Sequence, residues 1–440
     1  MATKKDLIEA QGFSRRRLLT AFTSGAPGGK ELEPAKPLRA VAAGLALAAM
    51  VLLGGVFYGI MRPGLPAGWE NNTLVLLSDT GARYLAIDGT LYPVINTASA
   101  RLGVPAGELR VITTDRATIE GVPFGPTIGI LGAPDDIAEP AQLINTGWSA
   151  CVVDHDSTSL TIARTTATPA SGAIIARHDD QLHVVAAGHR YAVDEHGADA
   201  VLRSLGLNLA SAIDTDDRWL NLFIEGAPLQ PIVVANAGTP LTSTSLRIGS
   251  VIRPQGSADD VRYLITGNGQ LAPLTALAYQ LYLLGTGAEL GAEQIVSPAD
   301  IVSLPTAAEP AGGSDWPETL QPLVATGPPC AHLSHAADGT AQTRLIAPET
   351  ATTPPVAAGA RVADGGGALV LLGSGAVALI DESATAYVIP GANADLLARL
   401  GYATSDVSNV PQAWMQFLPY GPELTVAGAL STPQLPGAQP

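Results

Sequence analysis

Cys330, His332 and His335 are three potential metal donors within six residues, the kind of group from which a zinc site starts. No fourth ligand stands nearby, and Pro328-Pro329 before them reads as a loop. The other histidines (His155, His178, His183, His189 and His196) are scattered and read as surface or hydrogen-bonded residues. Phosphate chemistry of the P-loop kind needs a Gly-rich turn and a lysine on the phosphates. Gly28-Gly29-Lys30 is followed by Glu31 rather than Ser or Thr, and Gly365-Gly366-Gly367 has no basic residue placed behind it. No G-x-S-x-G elbow and no H-E-x-x-H helix is present. The acid pairs Asp135-Asp136 and Asp216-Asp217 lie among turn residues and read as solvated caps, not as a glycosidase pair. The expectation is no catalytic site, no metal and no cofactor.

The elements that carry these residues are set by an uneven chain. It has 440 residues, 47% hydrophobic and 15% charged, with 47 Gly and 34 Pro. That composition disfavours disorder and a helical bundle, and points to short elements joined by turns. Of 24 Lys/Arg and 40 Asp/Glu, eight bases and four acids fall before residue 62, leaving that segment at +4. The remainder holds 16 bases, all Arg, against 36 acids, or −20. Nucleic acid is excluded as a main partner.

Ala40 to Met61 is an unbroken apolar run without a charged side chain. As a helix it rises about 33 Å, enough for a hydrocarbon core of about 30 Å. Lys30, Lys36 and Arg39 precede it and Arg62 alone follows closely, so the basic arm is expected in the cytosol and residues 62–440 outside the inner membrane. Arg15-Arg16-Arg17 suggests a twin-arginine signal, but about twenty residues separate it from the apolar run; an uncleaved anchor is the reading adopted. Gly55 and Gly59 form a G-x-x-x-G pair suited to close helix packing in the membrane. In the arm, Thr3-Lys4-Lys5-Asp6 has the form of a capping box. Leu7, Ile8, Phe13, Leu18 and Phe22, among Arg15, Arg16 and Arg17, predict an amphipathic helix ending before Gly25. Too small to form a core, it is expected to dock on a cytosolic partner, the alternative being anionic lipid.

Beyond the span, four stretches share a plan: a short apolar strand, a polar turn, and a helix ending in Leu-Gly. They begin at Tyr84, Tyr191, Tyr263 and Ala378 and reach Leu102-Gly103, Leu205-Gly206, Leu284-Gly285 and Leu400-Gly401, each Gly expected to be a left-handed cap. A second apolar-Pro segment follows in each, at Pro123, Pro228, Pro305 and Pro419. The predicted fold is α+β. An arm (1–39) and one span (40–61) lead to an outer domain (62–430). Its repeats lie near 74–131, 181–230, 261–305 and 368–420 on a β-rich core, and a loose tail (431–440) follows. Segments 306–316 and 347–359 read as linkers. Cys151 and Cys330, an even pair on the external side, are expected to form a disulfide, the alternative being two buried thiols.

Some strings are long enough to be specific. Lys5-Asp6-Leu7-Ile8-Glu9-Ala10-Gln11-Gly12-Phe13-Ser14-Arg15-Arg16-Arg17-Leu18-Leu19, Ser78-Asp79-Thr80-Gly81-Ala82-Arg83-Tyr84, Asp88-Gly89-Thr90-Leu91-Tyr92-Pro93 and Gly129-Ile130-Leu131-Gly132-Ala133-Pro134-Asp135 resemble EccB, the single-span membrane component of the actinobacterial type VII (ESX) secretion system. The resemblance covers nearly the whole chain. It implies an N-in anchor and a periplasmic core with four repeats in a quasi-twofold arrangement. It implies a core disulfide and assembly with EccC, EccD, EccE and other EccB copies. It further implies a peptidoglycan contact, and some members carry an ATPase label. With no lysine past Lys36, only an ATPase of non-P-loop type is open, and a structural subunit is the first reading.

Overall fold

The computed structural model describes residues 3–24, 37–61, 65–153, 156–242, 244–290, 292–324, 327–346 and 358–433. The Gly25–Gly29 stretch, Lys30, Lys36, Arg62, His155, most of segment 347–359 and tail residues 434–440 lie outside them. The chain forms two compact units, Met1–Gly64 and Leu65–Pro440.

The first unit holds two helices. α1 spans Lys4–Ser24. One arm of the expected capping box forms at its start: the Asp6 carboxylate accepts from the Thr3 amide (2.9 Å), but the Thr3 hydroxyl donates to that carboxylate (2.6 Å) and leaves the Asp6 amide to the Thr3 carbonyl; these bonds hold the Asp6 carboxyl below its usual range. α2 spans Pro37–Met61 and contains a span-length apolar window, Ala40–Tyr58.

Among the described residues the second unit is built from five small sheets. In the first repeat, β1 (Thr73–Leu77), β2 (Arg83–Ile87) and β3 (Thr90–Pro93) form an antiparallel meander. Helix α3 (Thr97–Leu102) then carries the chain back to β4 (Arg110–Thr114), parallel to β1. The β2–β3 turn has Asp88 and Gly89 at φ 48° and 71°, the double left-handed geometry that a two-residue hairpin requires. β5 (Ser149–Val153) and β6 (Ser157–Ile162) begin the core.

The second repeat follows with β7 (Ile174–His178), β8 (Gln181–Ala186), β9 (His189–Val193), α4 (Ala198–Ser204) and β10 (Ile213–Asp214). α5 (Asp217–Leu220) and β11 (Ile224–Leu229) close it. The third has β12 (Val251–Pro254), β13 (Tyr263–Ile265), β14 (Leu271–Pro273), α6 (Ala276–Leu284), α7 (Gly287–Leu290), β15 (Gln294–Val296) and α8 (Pro298–Ile301). β16 (Cys330–His335), β17 (Ala341–Ile346) and β18 (Gly359–Val362) complete the core sheet, in the order β17-β16-β5-β6-β18. The fourth repeat has β19 (Ala368–Leu371), β20 (Val377–Ile380), β21 (Ala386–Ile389), α9 (Ala394–Leu400), β22 (Ser408–Asn409), α10 (Gln412–Met415) and α11 (Val426–Ala429).

All four repeats share one strand order, third-second-first-fourth. The apolar-Pro segments are a fifth edge element. Pro123, Pro305 and Pro419 each accept, through the carbonyl, from the third-strand amides of Leu91, Leu271 and Ala386 at 2.8–2.9 Å. Proline fits there because its missing N–H is not asked to bond. A tyrosine on the third strand lies against a glycine on this segment: Tyr92 on Gly125, Tyr191 on Gly226 and Tyr387 on Gly421. The third repeat has Ala272 and Ala307 instead, trading a large-and-none pair for two small side chains.

Two details differ from the sequence reading. Tyr191 begins the register match on the third strand of its repeat, whereas Tyr84, Tyr263 and Ala378 lie on second strands; the equivalent of Tyr84 is in β8. Only Gly206 (φ 76°) and Gly401 (φ 97°) are left-handed caps. Gly103 stays helical at φ −69°, and Gly285 is glycine because a Cβ there would meet the Ile232 backbone.

The largest apolar cluster lies around the core sheet and includes Trp148, Trp219, Trp414 and Phe223. Each indole N–H is bonded: to the Ile144 carbonyl, the Ala150 carbonyl and the Thr343 hydroxyl respectively.

Candidate functional site

Helix α1 leaves its apolar side chains in the open: Leu7, Ile8, Phe13, Leu18, Leu19 and Phe22 are all more than half exposed, Phe22 at 92%. At about 100° per residue, Leu7, Leu18, Phe22, Ile8 and Leu19 fall in one sector about 120° wide. Phe13 falls on the other side of the helix, and Arg15 projects within the apolar sector while Arg16 and Arg17 lie outside it. The helix is therefore less cleanly two-faced than its composition suggests.

Helix α2 has no described polar face. The described side chains along it are exposed, including Leu45, Met50, Val51, Leu52, Leu53 and Phe57 at 64–70%. A helix apolar all round and unburied in its own fold suits a lipid solvent. A Cβ added at Gly55 would meet nothing within 4 Å, and Gly59 follows one turn later in the same helix.

The two cysteines are bonded. Cys151 on β5 and Cys330 on β16 face each other across an antiparallel pair, Cα atoms 4.0 Å apart, both buried. This removes the Cys330 thiolate from any metal set. His332 is buried on the same strand, its Nδ1 3.4 Å from the Ser149 hydroxyl, and burial lowers its pKa. His335 instead bonds the Asn409 carbonyl through Nε2 at 2.7 Å. Among the described residues no three His, Cys, Asp or Glu converge on a cation position.

One acid of each pair has structural partners. Asp216 caps α5 through the Trp219 amide (2.7 Å) and accepts from Thr158 (3.0 Å). Asp135 pairs with Arg83, whose Nη2 donates to Oδ2 at 2.7 Å, and accepts from the Thr97 amide at 3.0 Å. The Arg83 guanidinium holds the Asp135 carboxyl below the usual carboxylate range. Gly365-Gly366-Gly367 connects β18 to β19, with Gly365 at φ 67°.

The string at 129–135 is wired to the start of α3. Asn96 caps α3 by accepting from the Ser99 amide (2.9 Å) and donates to the Ile130 carbonyl (2.7 Å); the Ile130 amide donates to the Ser99 hydroxyl (2.9 Å). Ile130 in turn packs in one cluster with Leu369, Leu379, Leu397 and Leu400 of the fourth repeat. The first and fourth repeats are joined by a reciprocal contact: Arg101 donates to the Leu400 carbonyl (2.7 Å) and Arg399 to the Leu102 carbonyl (3.1 Å). Each arginine thus binds the last carbonyl of the other repeat's helix, where a cation also meets the helix dipole favourably. Sequence reading missed this pair; the shared Arg-Leu-Gly ending of α3 and the Ala-Arg-Leu-Gly ending of α9 were the available signal. A second missed cluster lies in the third repeat, where Glu293 accepts from Arg253 (2.7 Å) and Arg262 (2.6 Å), all three about four-fifths buried.

Comparison with known proteins agrees with this architecture. The family model described as type VII secretion system ESX-1, transport TM domain B, matches residues 1–436. The Mycobacterium tuberculosis protein named ESX-2 secretion system ATPase EccB2 is 27% identical over 344 residues, 72% of this chain and 67% of that one. The ESX-5 secretion system ATPase EccB5 of the same organism is 30% identical over 279 residues, 57% of this chain and about half (53%) of that one. A chain of the intact ESX-5 inner membrane complex superposes with a TM-score of 0.66 at 22% identity, over 98% of this chain and 95% of its own. The EccB3 dimer from the ESX-3 core complex gives 0.66 at 21% identity, over 81% and 99%. At those identities the likeness establishes the fold.

Proposed function

For a chain that belongs to the EccB family of type VII secretion, we propose the role of a structural subunit of the inner-membrane export complex, linking cytosolic motor components to an extracytoplasmic platform. The observation that carries this is that, among the described residues, one exposed apolar helix is of span length, ahead in sequence of a large folded unit and behind a basic helix with uncovered apolar side chains. In this reading residues 1–39 are a cytosolic arm, 40–61 the anchor, 62–430 the extracytoplasmic domain and 431–440 its tail. The orientation follows from the lysine and arginine bias before the span, and the Cys151–Cys330 bond suits an oxidising compartment. α1 docks through Leu7, Ile8, Leu18 and Phe22, with Arg15 in the same sector supplying charge; Gly55 and Gly59 pack the span against a neighbouring helix. The partners are EccC, EccD and EccE components and further copies of this chain.

The test is affinity purification of the tagged full-length chain in mild detergent, beside a chain lacking residues 3–24. The full chain brings down the other membrane components and the shortened chain loses the cytosolic one. Recovery of every partner by the shortened chain would refute the docking role. A second reading, ATP hydrolysis, is favoured only by the names of the relatives. A specific hydrolysis rate from purified full-length chain that survives removal of contaminants, and falls with a point change in this chain, would establish it.

A further inference from the structure

The fourth strand of every repeat lies at a sheet edge, and in three of the four that edge is short: β10 and β22 have two residues and β15 three. β4 has five, Arg110-Val111-Ile112-Thr113-Thr114. Its one charge is Arg110 at the first position, and it contains no proline or acid, two of the devices by which proteins blunt an edge. Arg110 donates its amide to the Asn72 carbonyl (2.9 Å) and Thr114 accepts from the Ser78 amide (2.9 Å), both toward β1. Alternation along the strand then turns the N–H and C=O of Val111 and Thr113 to the open side. Neither has a backbone partner there among the described residues. Val111 is 57% exposed.

The strand is complementary to itself. Antiparallel pairing about Ile112 sets Val111 opposite the second copy's Thr113, an exchange of both N–H···O bonds that occurs twice. Ile112 meets its own copy at a non-hydrogen-bonded position, where β-branched pairs stabilise a sheet. The same register sets Arg110 opposite Thr114, so no like charges meet along the strand although this part of the chain carries −20 overall. We propose that β4 is a self-association edge, through which two copies of this chain join their first repeats into one eight-stranded sheet. This rests on the assembly role proposed above and names a surface for it.

Both native cysteines are in the disulfide, so a new cysteine is the only free thiol. Ile112→Cys in the full-length chain places two thiols across the axis with Cα atoms about 4.5 Å apart, within disulfide range. Mild oxidation of membranes is expected to give a covalent dimer with Ile112→Cys and none with Val302→Cys, which is 82% exposed in the third repeat. Adding Thr113→Pro removes an outward amide but no internal ladder bond, and is expected to cut the dimer about tenfold at an unchanged unfolding midpoint. Should Ile112→Cys lower the folded yield, the double change Val111→Cys with Thr113→Cys reads the same register. Equal crosslinking at Val302→Cys, or a dimer indifferent to Thr113→Pro, overturns the proposal. No Ile112→Cys dimer from a chain that still co-purifies with its partners overturns it and leaves the assembly role standing. If Thr113→Pro then lowers recovery of the complex, the edge belongs to a different subunit. A chain that neither crosslinks nor co-purifies defeats both.

Discussion

Replacing both Cys151 and Cys330 with alanine tests how the two halves of the large unit are held. The bond joins residues 179 apart in sequence. Loop-closure entropy for a ring of that size gives about 5 kcal/mol at 25 °C. Both side chains lie in a small buried cluster with Ile346, so the lost sulfurs add a cavity cost to that figure. For a unit the size of Leu65–Pro440, with an unfolding entropy of about 2 cal/mol/K per residue, 5 kcal/mol corresponds to a drop of about 6 °C in Tm. The assay is thermal unfolding of the full-length chain in detergent, followed by near-UV circular dichroism and repeated with excess reductant. Reductant alone is expected to leave the folded wild type unchanged at low temperature, because both sulfurs are buried, and to lower its midpoint once unfolding exposes them. A double variant melting within about 1 °C of wild type would refute the reasoning. It would mean that the paired strands β5 and β16 already confine the unfolded chain.

Other changes probe the repeats. Gly421→Ala puts a methyl into the Tyr387 ring and is expected to destabilise by about 2 kcal/mol in urea unfolding; Tyr387→Ala, costly by itself because the ring is buried, is expected to cost less in that background, the two-alanine pairing that Ala272 and Ala307 make in the third repeat. Glu293→Gln leaves Arg253 and Arg262 short of a charge and is expected to cost about 1–2 kcal/mol by the same measurement, more than Asp395→Asn, whose carboxylate is exposed and whose partner Arg399 keeps its bond to the Leu102 carbonyl. His332 and His183 have pKa values lowered by burial, so the folded state favours their neutral forms. Their stabilisation is full above pH 6.5 and declines as pH falls from there toward the folded values; changing both to Gln is expected to flatten the fall in Tm between pH 7 and pH 5.

Much of this was legible before the structure. The long apolar helix that the structure shows over Pro37–Met61 is written in its composition, as an unbroken run of apolar side chains from Ala40 to Met61. The repeats were visible as Leu-Gly helix endings, since caps are local chemistry. What stayed hidden was decided by partners distant in sequence. Gly103 and Gly285 read as ordinary caps; in fact Gly285 exists to let the Ile232 backbone approach, which no local pattern encodes. Arg101 and Arg399 drew no reading from the sequence; the fold sets each over the other's helix end. Tyr191 misled the register of the second repeat because an apolar tetrad beginning with Tyr recurs on both second and third strands. The Cys330 disulfide was expected, whereas the places of His332 and His335, a buried serine contact and a distant carbonyl, depend on strands far away in the chain.

The central claim is that one apolar helix divides the chain into an inside arm and an outside body. Paired topology reporters test it most directly: a fluorescent protein active only in the cytosol and a phosphatase active only outside it, each fused in turn before Met1 and after Pro440. The account predicts fluorescence from the first position and phosphatase activity from the second. Phosphatase activity before Met1, or fluorescence after Pro440, would contradict it.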